Sequence, residues 1–428
     1  MENHLTEIVT HLAFVLTAIL IAAKIGGEVC ERYLKVPAVL GELVAGVLIG
    51  PHALGGMTIL GIGPLFEPLH AIGSEIAVIP VPTELWAIAQ IAAVVLLFSA
   101  GLETDLGQFL RYAGPATIVA IGGVVFPFLA GAYAVLIFGY ADSITDPLPL
   151  FMGALMTATS VGITARVLSE RRKLGTPEGV TILAAAVIDD VIGILVLTVV
   201  VGIAATGEFS TIEVAKIGAK AIGFWLALMI GGILLAKHIS RLFGLFRVNG
   251  ANLALALALA FLAAALAESF GLAMIIGAYS IGLALERTNL ARAIEDPLAA
   301  VSSFLVPVFF VVMGMLVDIQ AMQSLLLFGS VLTILAIVSK VLGSAAPALM
   351  VGFTRIGSLR VGVGMLPRGE VALIIAGIGL SRGILTADFF GVAILMTMVT
   401  TLLAPVLLVP AFEKGGAGRR DANKVGGE

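Results

Sequence analysis

Two adjacent aspartates, Asp189 and Asp190, stand inside 183-LAAAVIDDVIGILVLTVVVGIA-204, an apolar run long enough to cross a bilayer. A spanning helix needs about 20 mostly apolar residues. Each carboxylate at mid-membrane costs roughly 2.5–3.5 kcal/mol to insert, and this run carries two. Side chains that costly mark ion or proton pathways by default. A carboxylate holds a proton or a partly dehydrated cation, not both, so one buried aspartate can enforce exchange between them. Desolvation and a neighbouring carboxylate both penalise the charged acid, which brings proton and cation into competition near neutral pH. Residues i and i+1 lie about 100° apart on a helix, so both aspartates can border one cavity.

Three further features belong with that pair. Lys340 lies near the centre of 331-VLTILAIVSKVLGSAAPALM-350. An ammonium at that depth must face a carboxylate or release its proton, and Asp189 and Asp190 are the candidate partners. In 157-TATSVGITA-165, Thr159, Ser160, Gly162 and Thr164 interrupt an apolar segment. Their hydroxyls, with freed carbonyls and the aspartates, supply the oxygen ligands that a hard cation prefers. In 362-GVGMLPRGEVAL-373, Pro367, Arg368, Gly369 and Glu370 interrupt another segment. Unwound backbone at membrane depth is tolerated only where protein or a water-filled cavity surrounds it. Matched interruptions in two halves of a chain point to a transporter's binding site. Half-helix ends carry about half a unit of charge, and Arg368 and Glu370 are suited to neutralise such ends or each other.

The elements that must position these groups follow from composition. The chain has 428 residues, 60% hydrophobic and 12% charged, whereas a soluble domain carries about 25% charged residues. Most of the apolar excess must face lipid. The many glycines let membrane helices approach closely. One cysteine, Cys30, excludes an internal disulfide or a cysteine metal cluster, and a net charge of −4 gives no reason to expect a nucleic-acid partner. The expected class is an all-α polytopic membrane protein with thirteen transmembrane segments and no cofactor beyond the transported ions. Their cores are 8–30, 37–50, 84–102, 113–139, 148–167, 179–204, 213–236, 250–267, 270–285, 300–317, 324–350, 358–380 and 388–411. The first starts acidic (Glu2, Glu7) and lacks an A-x-A site, so it does not read as a cleavable signal peptide. A short tail, 412–428, is expected to follow the last segment.

Basic residues set the orientation, because cytoplasmic loops collect Lys and Arg. With the N-terminus outside and the C-terminus inside, eighteen of the 24 basic residues fall inside and only Lys216, Lys220 and Arg382 outside; Lys24, Lys340 and Arg368 lie within segments. A repeat is also visible. Segment three ends 98-FSAGLETDL-106 and segment ten ends 310-FVVMGMLVDI-319, with Gly101 to Asp105 matching Gly314 to Asp318. Seven crossings separate the copies, and an odd number inverts one relative to the other. The same offset carries Thr159 to within a few residues of Pro367.

These residues carry a family resemblance. 37-PAVLGELVAGVLIGP-51, 95-VLLFSAGLETDL-106, 188-IDDVIG-193, Lys340 and 367-PRGEVALI-374 resemble a bacterial sodium/proton antiporter of the monovalent cation:proton antiporter superfamily, in its NapA-like second branch. The resemblance spans essentially the whole chain. It implies an NhaA/NapA-type fold of two inverted repeats with two broken, crossing helices, in a multi-pass inner-membrane homodimer. Residues 1–110 and 248–320 would form the dimerisation domain, 111–207 and 321–412 the mobile core, 208–247 the linker helix and 413–428 a cytoplasmic tail. By motif, Asp190 would bind the transient Na⁺ and the proton. Asp189 would be the partner that pairs with Lys340, the latter serving as ion pair and proton carrier. Thr159 and Ser160 would complete the site. The expected activity is electrogenic exchange of sodium, with lithium as a further candidate cation, for protons by an elevator-like alternating-access mechanism, serving pH homeostasis.

Two alternatives remain at this stage. Kef-type potassium/proton antiporters share the fold, but usually carry a nucleotide-binding domain and tend to have Gln where Asp189 stands. An intramembrane aspartyl protease needs its aspartates on separate helices, which adjacent residues on one helix cannot provide.

Overall fold

The structure, a computed structural model, describes residues 2–57, 65–66, 81–206, 211–318 and 325–420. Fifteen α-helices are present among them. In chain order these are α1 (Glu2–Glu28), α2 (Ala38–Ile49), α3 (Thr83–Leu102), α4 (Leu106–Ile137), α5 (Pro147–Thr157), α6 (Val161–Glu170), α7 (Pro177–Thr206) and α8 (Thr211–Phe243). They continue with α9 (Ala251–Ser269), α10 (Met274–Leu285), α11 (Asn289–Met315), α12 (Leu326–Met350), α13 (Arg355–Gly364), α14 (Glu370–Ser381) and α15 (Ala387–Glu413). A π-helical stretch, Val29–Leu34, extends α1. Among the described residues, eleven stretches are long and apolar enough to span a membrane, α5 and α6 together counting as one.

Helix starts follow local chemistry. Pro37 and Pro82 sit just before α2 and α3, and Pro147 in the first turn of α5, where a missing N–H leaves nothing unbonded. Asp105 accepts a hydrogen bond from Gln108 N at 2.6 Å, Thr288 from Ala291 N at 3.3 Å, and Thr354 from Gly357 N at 3.1 Å, each capping a helix. Such caps explain the largest departure from the hydropathy reading. α11 begins at Asn289, well ahead of the expected core at 300–317, because its first turns are charged yet capped by Thr288. Likewise α4 starts at Leu106 on the Asp105 cap, and α8 runs to Phe243. Residues 270–273, expected to open a segment, form the turn between α9 and α10, with Gly271 at φ +85°.

The exterior is apolar. Ile137, Leu327 and Met350 are 79%, 75% and 83% exposed, which suits a bundle whose solvent is lipid. Inside, one apolar cluster joins α4, α5, α7, α12, α14 and α15, around Val135, Phe151, Phe328, Ala372 and Met396. Another joins α3, α8, α9, α10 and α11, around Phe98, Ala236, Ala260, Ile281 and Ile294. A third, containing Leu43, Leu96, Ile163, Ile182 and Phe309, lies between them.

Two helix crossings within that frame are made backbone to backbone. At α2 against α11, a Cβ on Gly46 would sit 2.0 Å from Val311 O and one on Gly314 2.1 Å from Leu43 O. At α3 against α10, a Cβ on Gly101 would sit 2.4 Å from Tyr279 O and one on Gly282 2.3 Å from Phe98 O. Only glycine fits at such approaches. Gly101 and Gly314 are the two glycines that anchor the repeated motif.

Candidate functional site

Asp189 and Asp190 lie deep in α7, 2% and 6% exposed. Pro177 opens that helix and Thr176 caps it, accepting from Gly179 N at 3.1 Å. No proline follows within α7, so its ladder runs unbroken past both aspartates.

Both neighbouring segments are broken. α5 ends at Thr157 and α6 resumes at Val161; α13 ends at Gly364 and α14 resumes at Glu370. The two breaks bond to each other. Ser160 N donates to Pro367 O at 2.7 Å, and the Thr164 hydroxyl donates to Gly364 O at 2.7 Å. Two helix C-termini and two helix N-termini therefore meet at one place, with carbonyls and amides left over from each.

Cations receive the carbonyls. Lys340, on α12, is fully buried and its ammonium has three N–H groups to place. They go to Gly123 O at 2.8 Å, Thr157 O at 2.7 Å and Asp189 Oδ1 at 3.1 Å. Each acceptor has a reason to be available. Thr157 ends α5. Gly123 lies four residues before Pro127, which has no N–H to return to it. Arg368, also fully buried, donates from Nη1 to Ala158 O at 2.8 Å. Lys340 and Arg368 thus both sit on the last carbonyls of α5, where the helix dipole is negative. The Thr401 hydroxyl donates to Arg368 O and fixes the second break to α15.

Thr159 and Ser160 are buried at 2% and 1%. The Thr159 hydroxyl lies beside the Asp189 carboxylate, so the two place oxygens side by side. Ser160 enters through its backbone N–H. Glu370 opens α14, but its side chain lies outside the described residues.

A cavity of about 410 Å³ reaches this arrangement. Asp189, Asp190 and Ala158 form its floor, Trp86, Gln90 and Val371 part of its wall, and the exposed Glu268 its mouth. Two aspartates, broken-helix backbone and an open cavity are what partial dehydration of a small cation requires. The structure thus brings together Asp189, Asp190, Thr159, Ser160, Lys340 and Arg368.

Several contributors carry no side-chain signature and were missed in the sequence: the carbonyls of Gly123, Thr157 and Ala158. Also missed was a buried pair below the site, Arg360 Nη1 to Glu178 Oε1 at 2.6 Å. Arg360 Nε also bonds Ala411 O at 2.9 Å, and Thr354 N bonds Gly418 O at 2.9 Å. The start of the expected tail is therefore folded back onto α13 rather than free of the bundle.

Residues 8–414 match the family described as sodium/hydrogen exchanger, transmembrane. The chain is 36% identical to the high-affinity Na⁺/H⁺ antiporter NhaS3 of Synechocystis sp., covering 95% of this chain and 90% of that one. It is 32% identical to the Na⁺/H⁺-K⁺ antiporter GerN of Bacillus cereus, covering 93% and 96%. Its fold is similar to that of the sodium proton antiporter MjNhaP1 of Methanocaldococcus jannaschii, with a TM-score of 0.66 at 18% identity over 95% of this chain and 99% of that one. Matched along its length and carrying its acids inside the bundle, the chain is a transporter rather than an enzyme, and it belongs to the transmembrane sodium/hydrogen exchanger family of monovalent cation:proton antiporters.

Proposed function

We propose that the protein exchanges Na⁺ for H⁺ electrogenically at Asp190, by alternating access of one site to the two faces of an inner membrane. The observation that carries this reading is the sharing of Asp189 between Lys340 and the cavity floor. Sodium entering at Asp190 recruits Asp189 as a second carboxylate ligand, with Thr159 and freed carbonyls completing the oxygen shell. Lys340 then loses its carboxylate partner and keeps only two neutral carbonyls. In that low-dielectric setting its ammonium is disfavoured, and it releases a proton. On return, protons reload both Asp190 and Lys340, so more than one proton crosses per sodium.

Arg368 and Glu370 stay with the helix ends at the crossing and take no part in ligation. The two glycine crossings, segment two against ten and segment three against nine, exchange with each other under the seven-segment repeat and so support an inverted repeat. The bias of basic residues supports thirteen crossings and an outside N-terminus. The separate apolar clusters support an elevator in which α4–α7 and α12–α15 move against α1–α3 and α9–α11, with α8 linking them and the static part forming a homodimer. The paired aspartates favour the NapA-like branch. Potassium is the second cation to consider, since GerN is described as a Na⁺/H⁺-K⁺ antiporter. A Kef-type assignment is less well supported, because Asp189 and not Gln occupies the position facing Lys340.

The test is proton flux in proteoliposomes at clamped potential, with Na⁺, Li⁺ and K⁺ added in turn. Na⁺-driven flux that changes when the voltage is reversed, and that D190N abolishes in folded protein, is expected. Flux indifferent to voltage removes Lys340 as a carrier, and wild-type rates in D190N move the site elsewhere.

A further inference from the structure

A second polar cavity, of about 370 Å³, lies at the far end of α6 from the aspartates. α6 starts beside the first break and runs ten residues, about 15 Å, to Glu170 on that cavity's wall. The other walls come from α1, its π-helical extension and the start of α2.

The charges lining it are mostly satisfied. Arg166 Nε pairs with Glu170 at 2.7 Å, and Arg171 with Glu413 at 3.7 Å. Glu28 pairs with Arg32 at 3.4 Å, and Lys24 Nζ donates to Ser303 O at 3.1 Å. Glu31 is at the exposed rim. Glu42 differs. It is 2% exposed, one turn inside α2, and its Oε2 is sealed from solvent with no hydrogen bond among the described residues. Nor does any described cation form an ion pair with it. A buried carboxylate oxygen without a partner costs several kcal/mol, so its retention calls for a ligand.

We propose that Glu42 is a second docking carboxylate for the monovalent cation, holding it in this cavity between the Asp189–Asp190 site and the membrane face at the C-terminal end of α6. The inference rests on the exchange reading above. α6 carries the first break at one end and this cavity wall at the other, so a shift that turns the aspartates from one face moves Arg166 and Glu170 past Glu42. A carboxylate there receives the cation as it leaves or enters, while the Arg166–Glu170 pair keeps its own charge neutralised. Walls that are otherwise paired leave Glu42, on the cavity's lining, with an acceptor to offer.

Cation-driven proton flux is measured for E42Q in right-side-out and inverted vesicles, with Na⁺ presented at each face. The expected result is an apparent Na⁺ affinity weakened about tenfold at the α6 face alone, the loss of one charge-assisted contact, with maximal rate little changed. E42D should recover part of the loss. Unchanged affinity at that face overturns the inference, and so does an equal weakening at both faces, which is what general damage would produce. If E42Q does not reach the membrane folded, E170Q serves: it frees Arg166 to pair with Glu42, and the same one-sided weakening is expected, with unchanged affinity counting against. Wild-type protein that moves no protons for any cation refutes the exchange reading itself. A working wild type with inactive D190N and symmetric E42Q refutes only this inference.

Discussion

Removing the two members of the Lys340–Asp189 pair should have unequal consequences, and the structure says how unequal. K340M leaves three buried acceptors without donors: Gly123 O, Thr157 O and Asp189 Oδ1. Breaking a buried pair from one side costs about 3–5 kcal/mol, and each carbonyl left bare about 1–3 more before relaxation. In D189N the asparagine oxygen can still accept. Lys340 can become a neutral amine whose two remaining N–H groups satisfy the two carbonyls, while its lone pair accepts from the asparagine amide. Every buried group then keeps a partner, and a loss of about 1 kcal/mol is expected. The double variant K340M/D189N removes the stranded charge but keeps the bare carbonyls, so it should fall between the two. Non-additivity of about 2 kcal/mol or more follows. Thermal unfolding in detergent ranks the three proteins, and flux at clamped potential shows whether D189N has lost its voltage dependence. K340M no worse than D189N, or strictly additive losses, would refute the three-acceptor account.

Two other outcomes follow from the same geometry. P127A returns an N–H to α4, which should bond Gly123 O in competition with Lys340; the expected result is slower exchange without loss of thermal stability, and a wild-type rate would show that the freed carbonyl is dispensable. R368Q removes the cation from Ala158 O at the end of α5. Its unfolding temperature should drop, by the equivalent of about 1.5–3 kcal/mol, while the apparent sodium affinity of surviving protein stays put; the reverse pattern would move Arg368 into ion binding.

What the sequence disclosed was contrast. Asp189, Asp190, Lys340 and Arg368 are legible because a charge inside an apolar run is expensive, and expense is visible in one dimension. The breaks were legible because Pro367 and the hydroxyl cluster at 157–165 interrupt hydropathy at matching places. Which aspartate faces the lysine was not decidable from spacing, since i and i+1 differ only by helix angle; the folded chain puts Asp189 there. The carbonyl acceptors leave no trace in side-chain identity, although Pro127 could have pointed to Gly123 by counting back four. Glu42 was in plain sight within 37-PAVLGELVAGVLIGP-51, which counted only as one mark of the family resemblance. The early start of α11 was hidden because hydropathy windows discount charged turns, however well Thr288 caps them.

The bonds that hold the two breaks together also set a problem of timing. Arg368 and the Ala158 carbonyl it serves are 210 residues apart in the chain, and Ser160 waits about as long for Pro367. At synthesis rates of about 5–20 residues per second, the first half of the crossing emerges roughly 10–40 s before the second. For most of that interval the nascent chain holds an open helix end and two aspartates without Lys340. None of these can sit bare in lipid. The first half must therefore be kept at the water interface, or sheltered by the insertion machinery, until α12–α14 arrive to close it.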